Sequence, residues 1–139
     1  MGGLRRWDLP TSLPDVPAVM RVLRVLQGLL GRTPVFADAR LVTASTTITD
    51  ADDTLLVATA GGAVTVTLPQ AGTVLGRRFT VKKTDASANN IVLDGNGTET
   101  IDGAANVTWN TQWTAYTVQA AMTASPATFN WVIVGKGLL

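Results

Sequence analysis

The sequence predicts a mainly β protein: a small antiparallel β-sandwich or barrel-like module preceded by an extended N-terminal arm and one short α-helix. Three observations predict it. From Leu41 onward, 19 threonines are spread through short segments in which apolar and polar residues alternate. Those segments are punctuated by Gly, Asn and Asp, which suit tight turns, while Thr and Val suit a pleated, half-buried strand. Before Leu41 the apolar residues fall instead at intervals of three and four, the period of a helix. With 139 residues the ceiling is one core plus an appendage, since domains most often run to roughly 100–150 residues.

Composition divides the chain into residues 1–40, an anchoring arm and helix, and residues 41–139, the β-module. The first part has six basic against three acidic residues, the second five against seven, so the halves carry +3 and −2. From Met1 to Pro14 there are too few periodic apolar positions for a helix, and the segment reads as an extended arm around Trp7. Asp15 can then cap a helix with Pro17 in its first turn, and the pattern runs to Gly28 or Gly31 before Pro34 forbids continuation. Val16, Val19, Leu23, Leu26 and Leu30 form one stripe along it, widened by Met20, Val22, Val25 and Leu29. So apolar a helix needs a cover, supplied by its own module, by the same helix of other subunits, or by a membrane surface. The last fits least well, because Arg21 and Arg24 give only a thin basic face.

From Leu41 the period becomes two. Expected strands are Leu41–Thr49, Thr54–Thr59, Ala63–Leu68, Arg78–Lys83, Asn90–Leu93, Glu99–Ile101, Ala105–Trp109, Trp113–Ala120 and Phe129–Val134. Val64, Val66 and Leu68 fall on one face of theirs and threonines on the other. Gly61-Gly62 is a two-residue hairpin signal, and Gly95-Asn96-Gly97 and Asp102-Gly103 mark further turns.

Composition also excludes function classes. The chain has no histidine and no cysteine, which removes the commonest proton-transfer and metal-binding groups, thiolate nucleophiles and disulfides. A net charge of +1 without a basic, aromatic-interleaved stripe gives no nucleic-acid surface. The longest apolar-rich stretch, Val16 to Leu30, is interrupted by Arg21, Arg24 and Gln27 and is short of the ~20 residues of a membrane span, so no membrane insertion is expected. Arg21, Arg24 and prolines 10, 14 and 17 also argue against a cleavable leader.

The remaining candidate chemistry is sparse. Asp50, Asp52 and Asp53 form the acidic cluster nearest to a calcium site, although such clusters more often decorate a turn. Asp94, Asn96, Thr98 and Thr100 mimic alternate ligands of a calcium loop, but Glu99 and Ala105 stand where its glycine and bidentate acid belong. For glycan hydrolysis the carboxylates are Asp85, Asp94, Glu99 and Asp102, all in or beside turns. A serine–lysine pair would draw on Lys82, Lys83 or Lys136, with no supporting spacing. No catalytic residue, metal or cofactor is expected. Trp109, Trp113, Tyr116 and Trp131 are the aromatic concentration, either packed or presented as a glycan or receptor surface. Asn96-Gly97-Thr98 and Asn106-Val107-Thr108 read as turn and strand chemistry rather than glycosylation sites.

Several runs together carry a resemblance. They are Leu55-Leu56-Val57-Ala58-Thr59-Ala60-Gly61-Gly62-Ala63-Val64-Thr65-Val66-Thr67-Leu68-Pro69, Gly76-Arg77-Arg78-Phe79-Thr80-Val81-Lys82-Lys83, Ala88-Asn89-Asn90-Ile91-Val92-Leu93-Asp94 and Thr100-Ile101-Asp102-Gly103. With Trp113–Gln119 and Asn130–Gly135 closing the pattern, residues 43–135 resemble the β-rich modules of tailed-bacteriophage fibres, tailspikes and related virion appendages. The resemblance implies a homotrimeric virion protein without catalysis, of the capsid-decoration or head-fibre kind, assembled in the host cytoplasm. Its partners would be capsid or tail proteins. The alternatives are a tail-fibre or tail-tip receptor binder that grips a host-surface glycan and, further off, a glycan-cleaving spike. Arg5, Arg6, Trp7 and Leu9 are the expected anchor to the particle, since a large apolar ring on an extended basic arm has no local core.

Overall fold

The structure is a computed structural model, and it describes residues 39–138, all within one compact unit spanning 37–139. The expected arm and helix, with Arg5, Arg6, Trp7, Leu9 and the Val16, Val19, Leu23, Leu26, Leu30 stripe, lie outside the described residues. The module is mainly β, as its sequence predicts. In chain order the strands are β1 (Ala39–Val42), β2 (Thr46–Thr47), β3 (Thr54–Val57), β4 (Val64–Thr67), β5 (Arg78–Lys83), β6 (Ile91–Asp94), β7 (Asn106–Trp109), β8 (Thr114–Ala124) and β9 (Thr128–Leu138). One 3-10 turn, Ala71–Thr73, lies between β4 and β5.

Two open sheets form, ordered β9-β8-β5-β3-β1 and β2-β4-β6-β7. Successive strands alternate between them: β1, β3 and β5 run parallel in the first sheet, while β2, β4 and β6 run parallel in the second. Every parallel pair is thus connected through a strand of the opposite sheet, and the chain climbs as a two-sheet coil of three turns. It then doubles back, β7 antiparallel to β6, β8 antiparallel to β5 and β9 antiparallel to β8.

This corrects the expectation of a purely antiparallel module, and no barrel closes. Gly61-Gly62 does not make a hairpin, because β3 and β4 belong to different sheets. The physical reason is that both strands carry an apolar face, Leu55 and Val57 on one and Val64 and Val66 on the other, each wholly or almost wholly buried. Folding the chain over as an arch sets those faces against each other across the core. A hairpin would have laid them side by side, with the same face still uncovered. The expected single strand over 41–49 divides for the same reason, β1 and β2 sitting in opposite sheets.

The core is the set of inward residues from both sheets, with Trp131, Phe79, Leu55, Leu93 and Ile91 fully enclosed. Each large side chain so buried contributes roughly 1.5–3 kcal/mol. Trp131 and Phe79 pack with ring centroids 5.8 Å apart and Trp109 and Tyr116 at 4.7 Å, both tilted.

One long edge is covered in part, along residues 130–133 of β9. The segment Glu99–Ile101, expected as a strand, forms only isolated bridges, and residues 100–102 lie along β9: the Trp131 N–H donates to Thr100 O at 2.9 Å and the Asp102 N–H to Trp131 O at 3.0 Å. Asp102 Oδ1 accepts from the Ile133 N–H at 3.0 Å and Asn130 Oδ1 from the Thr100 N–H at 2.7 Å. The Asp102-Gly103 turn forms as expected, with φ of 48° and 87° between the bridged Ile101 and Ala104. Such a cover removes a pairing site that this stretch of edge strand would otherwise offer to another chain.

Candidate functional site

The densest polar constellation lies where the arches stack. β5 alternates, so Phe79, Val81 and Lys83 all point inward, and Lys83 is fully shielded from solvent. Its Nζ donates to Thr59 Oγ1 at 2.5 Å, Asp85 Oδ1 at 2.6 Å and Ser87 Oγ at 3.2 Å. Thr59, just beyond β3, is itself wholly buried, with its N–H donating to Asp85 Oδ1 at 3.0 Å and its carbonyl accepting from Asn89 Nδ2 at 2.7 Å. Asp85 is held well below the usual carboxylate range, first by the Lys83 hydrogen bond and then by the Thr59 N–H.

Ser87 beside Lys83 has the composition of a nucleophile and its base. The geometry runs the other way. A general-base lysine must accept the hydroxyl proton through a free amine lone pair, whereas Lys83 points its three N–H donors at three oxygens beside a carboxylate. The cluster welds the arch after β3 to the loop between β5 and β6. A third layer extends the weld: the Trp113 N–H donates to Lys83 O at 2.8 Å, Gln112 Nε2 to Thr84 O at 3.0 Å and Asn110 Nδ2 to Ala88 O at 3.3 Å.

A second weld stands at the turn between β2 and β3. Asp52 accepts from Arg40 Nε at 2.6 Å and Nη2 at 2.8 Å, and its Oδ2 also accepts from the Thr49 N–H at 2.8 Å. The Arg40 fork is the first cause that lowers the Asp52 carboxyl, with the Thr49 bonds adding to it. Arg77 Nη2 donates to Asp52 O at 2.6 Å. Among the described residues no three His, Cys, Asp or Glu side chains converge on one metal position.

Two other singled-out acids, Glu99 and Asp102, are also engaged by the fold. Glu99 accepts from the Ala71 N–H through both oxygens at 3.0 Å and from Trp131 Nε1 at 3.3 Å. Asp102 holds the β9 edge. Asn96 donates to Leu68 O at 3.3 Å, so the loop after β6 braces the end of β4.

The four module aromatics do not share one surface. Trp109, Tyr116 and Trp131 are buried, and their place is the core: alternation turns each inward, where their large areas gain most. Trp113 is 45% exposed, with a φ of 68° that bulky residues rarely adopt and Lys82 Nζ 5.4 Å from its ring centroid. Sequence reasoning missed the Lys83 hub and the outlier at Trp113. The signal for the first was available, since Phe79 and Val81 fix the inward parity that Lys83 shares. Compared with models of known protein families the chain matches none, and no curated protein matches it either.

Proposed function

We propose that the chain is a non-catalytic structural component of a tailed-bacteriophage virion, a homotrimer of the capsid-decoration or head-fibre kind tethered to the particle through residues 1–40. The observation that carries the self-association is the start of the coil. β1 and β2 are outer strands of their sheets among the described residues, and Leu41 on β1 is 65% exposed. An exposed apolar side chain on an outer parallel strand is a surface that another copy can bury. The non-catalytic reading is supported by the absence of histidine and cysteine and by the engagement of Lys83, Asp85, Asp52 and Glu99 in hydrogen bonds that join the coil's turns. The glycan-cleaving alternative draws no support from the carboxylates.

Sedimentation of the purified full chain tests the assembly. A trimer mass at micromolar concentration is the expected result, and a stably folded single subunit would overturn it. Trp7→Ala tests the tether and should weaken attachment to particles by at least about 2 kcal/mol. Undiminished occupancy would refute the anchoring role of the arm.

A second reading, host-receptor recognition by a tail fibre or tail tip, is favoured by one feature: the outward ring of Trp113.

A further inference from the structure

We propose that Trp113 is a saccharide-stacking platform, which binds the C–H face of a pyranose ring on its indole while flanking amide and hydroxyl groups take the sugar's hydroxyls. The inference rests on the receptor-recognition reading and is independent of how many copies assemble.

The backbone at Trp113 is strained. A tryptophan with φ of 68° sits in the left-handed region, which disfavours a bulky side chain and persists only where the surroundings over-determine it. Here they do. Asn110, Gln112 and Trp113 each donate one hydrogen bond to the 83–88 segment, which is in turn welded to Thr59 through Lys83 and Asp85. The loop is thus fixed before any ligand arrives, and a preorganised contact loses little entropy on binding.

The ring also points outward. Core packing does not account for it, because Trp113 remains 45% exposed while Trp109 and Tyr116 are buried against each other. Lys82 Nζ, 5.4 Å from the ring centroid, braces the indole's orientation.

The surroundings of the ring select the ligand class. A protein anchor sits in the middle of a broad apolar patch that excludes water. Trp113 is flanked by Asn110, Thr111, Gln112 and Thr114, and residues 103–135 contain no charged side chain at all. The amide nitrogens of Asn110 and Gln112 are engaged as donors, which leaves their carbonyl oxygens to accept from sugar hydroxyls. An aromatic face beside neutral acceptors and hydroxyls, with the Lys82 ammonium the one charge placed against the ring, suits a sugar ring that is apolar on its face and polar at its edge.

The test applies the full-length chain to an array of immobilised neutral and acidic oligosaccharides, then titrates the best binder by tryptophan fluorescence and indole N–H resonances. Trp113→Phe should retain binding within a few-fold and remove the perturbed indole resonance. Trp113→Ala should lose tenfold or more, and Met122→Ala, exposed elsewhere, should change nothing. Binding unchanged in a folded Trp113→Ala protein would overturn the site. If no oligosaccharide binds while the chain still adheres to host cells through Trp113, the ligand is a protein and the saccharide assignment fails, but receptor recognition stands. If neither occurs, both fail together.

Discussion

Lys83 Nζ lies 2.6 Å from Asp85 Oδ1, with the Lys83 side chain fully enclosed and that of Asp85 22% exposed. The two partners therefore differ in what their loss leaves behind. Asp85→Asn leaves a wholly buried ammonium without its counter-charge, while Lys83→Met leaves a carboxylate that still accepts from the Thr59 N–H through Oδ1 and has its Oδ2 buried without a hydrogen-bond partner. Breaking such a pair from either side should cost roughly 2–4 kcal/mol, below the cost for two fully buried partners, with Asp85→Asn the larger loss. The double variant should cost less than the sum of the two. Denaturant unfolding of all three reads this directly, and an Asp85→Asn loss under about 1 kcal/mol would refute the weld.

Acid should expose the same linkage. Asp85 and Asp52 are both depressed in the folded state, so on acidification the unfolded chain takes up protons first. The stability they contribute is complete above their unfolded values, about 3.9, and is lost as pH falls from there through the folded values. Because the chain has no histidine, no side chain with an ordinary titration lies between about pH 5 and 8, and the thermal midpoint should be flat across that range. Thermal melts against pH check both parts, and Asp85→Asn should have the shallower acid limb. A wild-type midpoint that rises on acidification from pH 4 to 2 would contradict the assignment.

What the sequence made legible was facing, and what it hid was partnership. Period two in Val64-Thr65-Val66-Thr67 and in Phe79-Thr80-Val81 tells which side chains turn inward, and the burial of Val64, Val66, Phe79 and Val81 follows it. It carries no statement of which strand lies alongside. A glycine pair such as Gly61-Gly62 bends the chain equally well into a hairpin or into an arch between sheets. The deciding terms are long-range: Thr59 reaches Asp85 and Ser87 26 and 28 residues on. Trp113 was legible as an aromatic in a strand-like run. Its outward ring follows from a backbone angle set by the Lys83 carbonyl, which no local pattern encodes.

Gly95 is required for a close approach. A Cβ there would collide with the Glu99 carbonyl oxygen, a backbone atom that cannot rotate aside. Glu99 also holds the Ala71 N–H and Trp131 Nε1, so a displaced loop would disturb the core's largest residue. Gly95→Ala should cost about 1–3 kcal/mol. Gly61→Ala is the matched control, with nothing within 4 Å of its added Cβ. It should be neutral or stabilise by up to about 1 kcal/mol through the unfolded chain. Equal urea midpoints for the two variants would refute the close-approach argument.

Two tryptophans should respond very differently to deletion. Trp131 is fully buried against Phe79, so Trp131→Ala removes a large transfer term and leaves a cavity, at a cost of about 3–5 kcal/mol. Trp113→Gly removes a ring that is already 45% exposed and relieves its left-handed backbone, a gain of roughly 1–2 kcal/mol. Against that gain stand the lost contact with Lys82, worth about 0.5–1 kcal/mol at an exposed site, and the ring's buried half. The balance should leave stability within about 1 kcal/mol of the wild type. Urea unfolding of both variants decides it. A Trp113→Gly loss as large as that of Trp131→Ala would mean that the outward ring is held for the fold's sake, and the strain at residue 113 would then need no ligand to explain it.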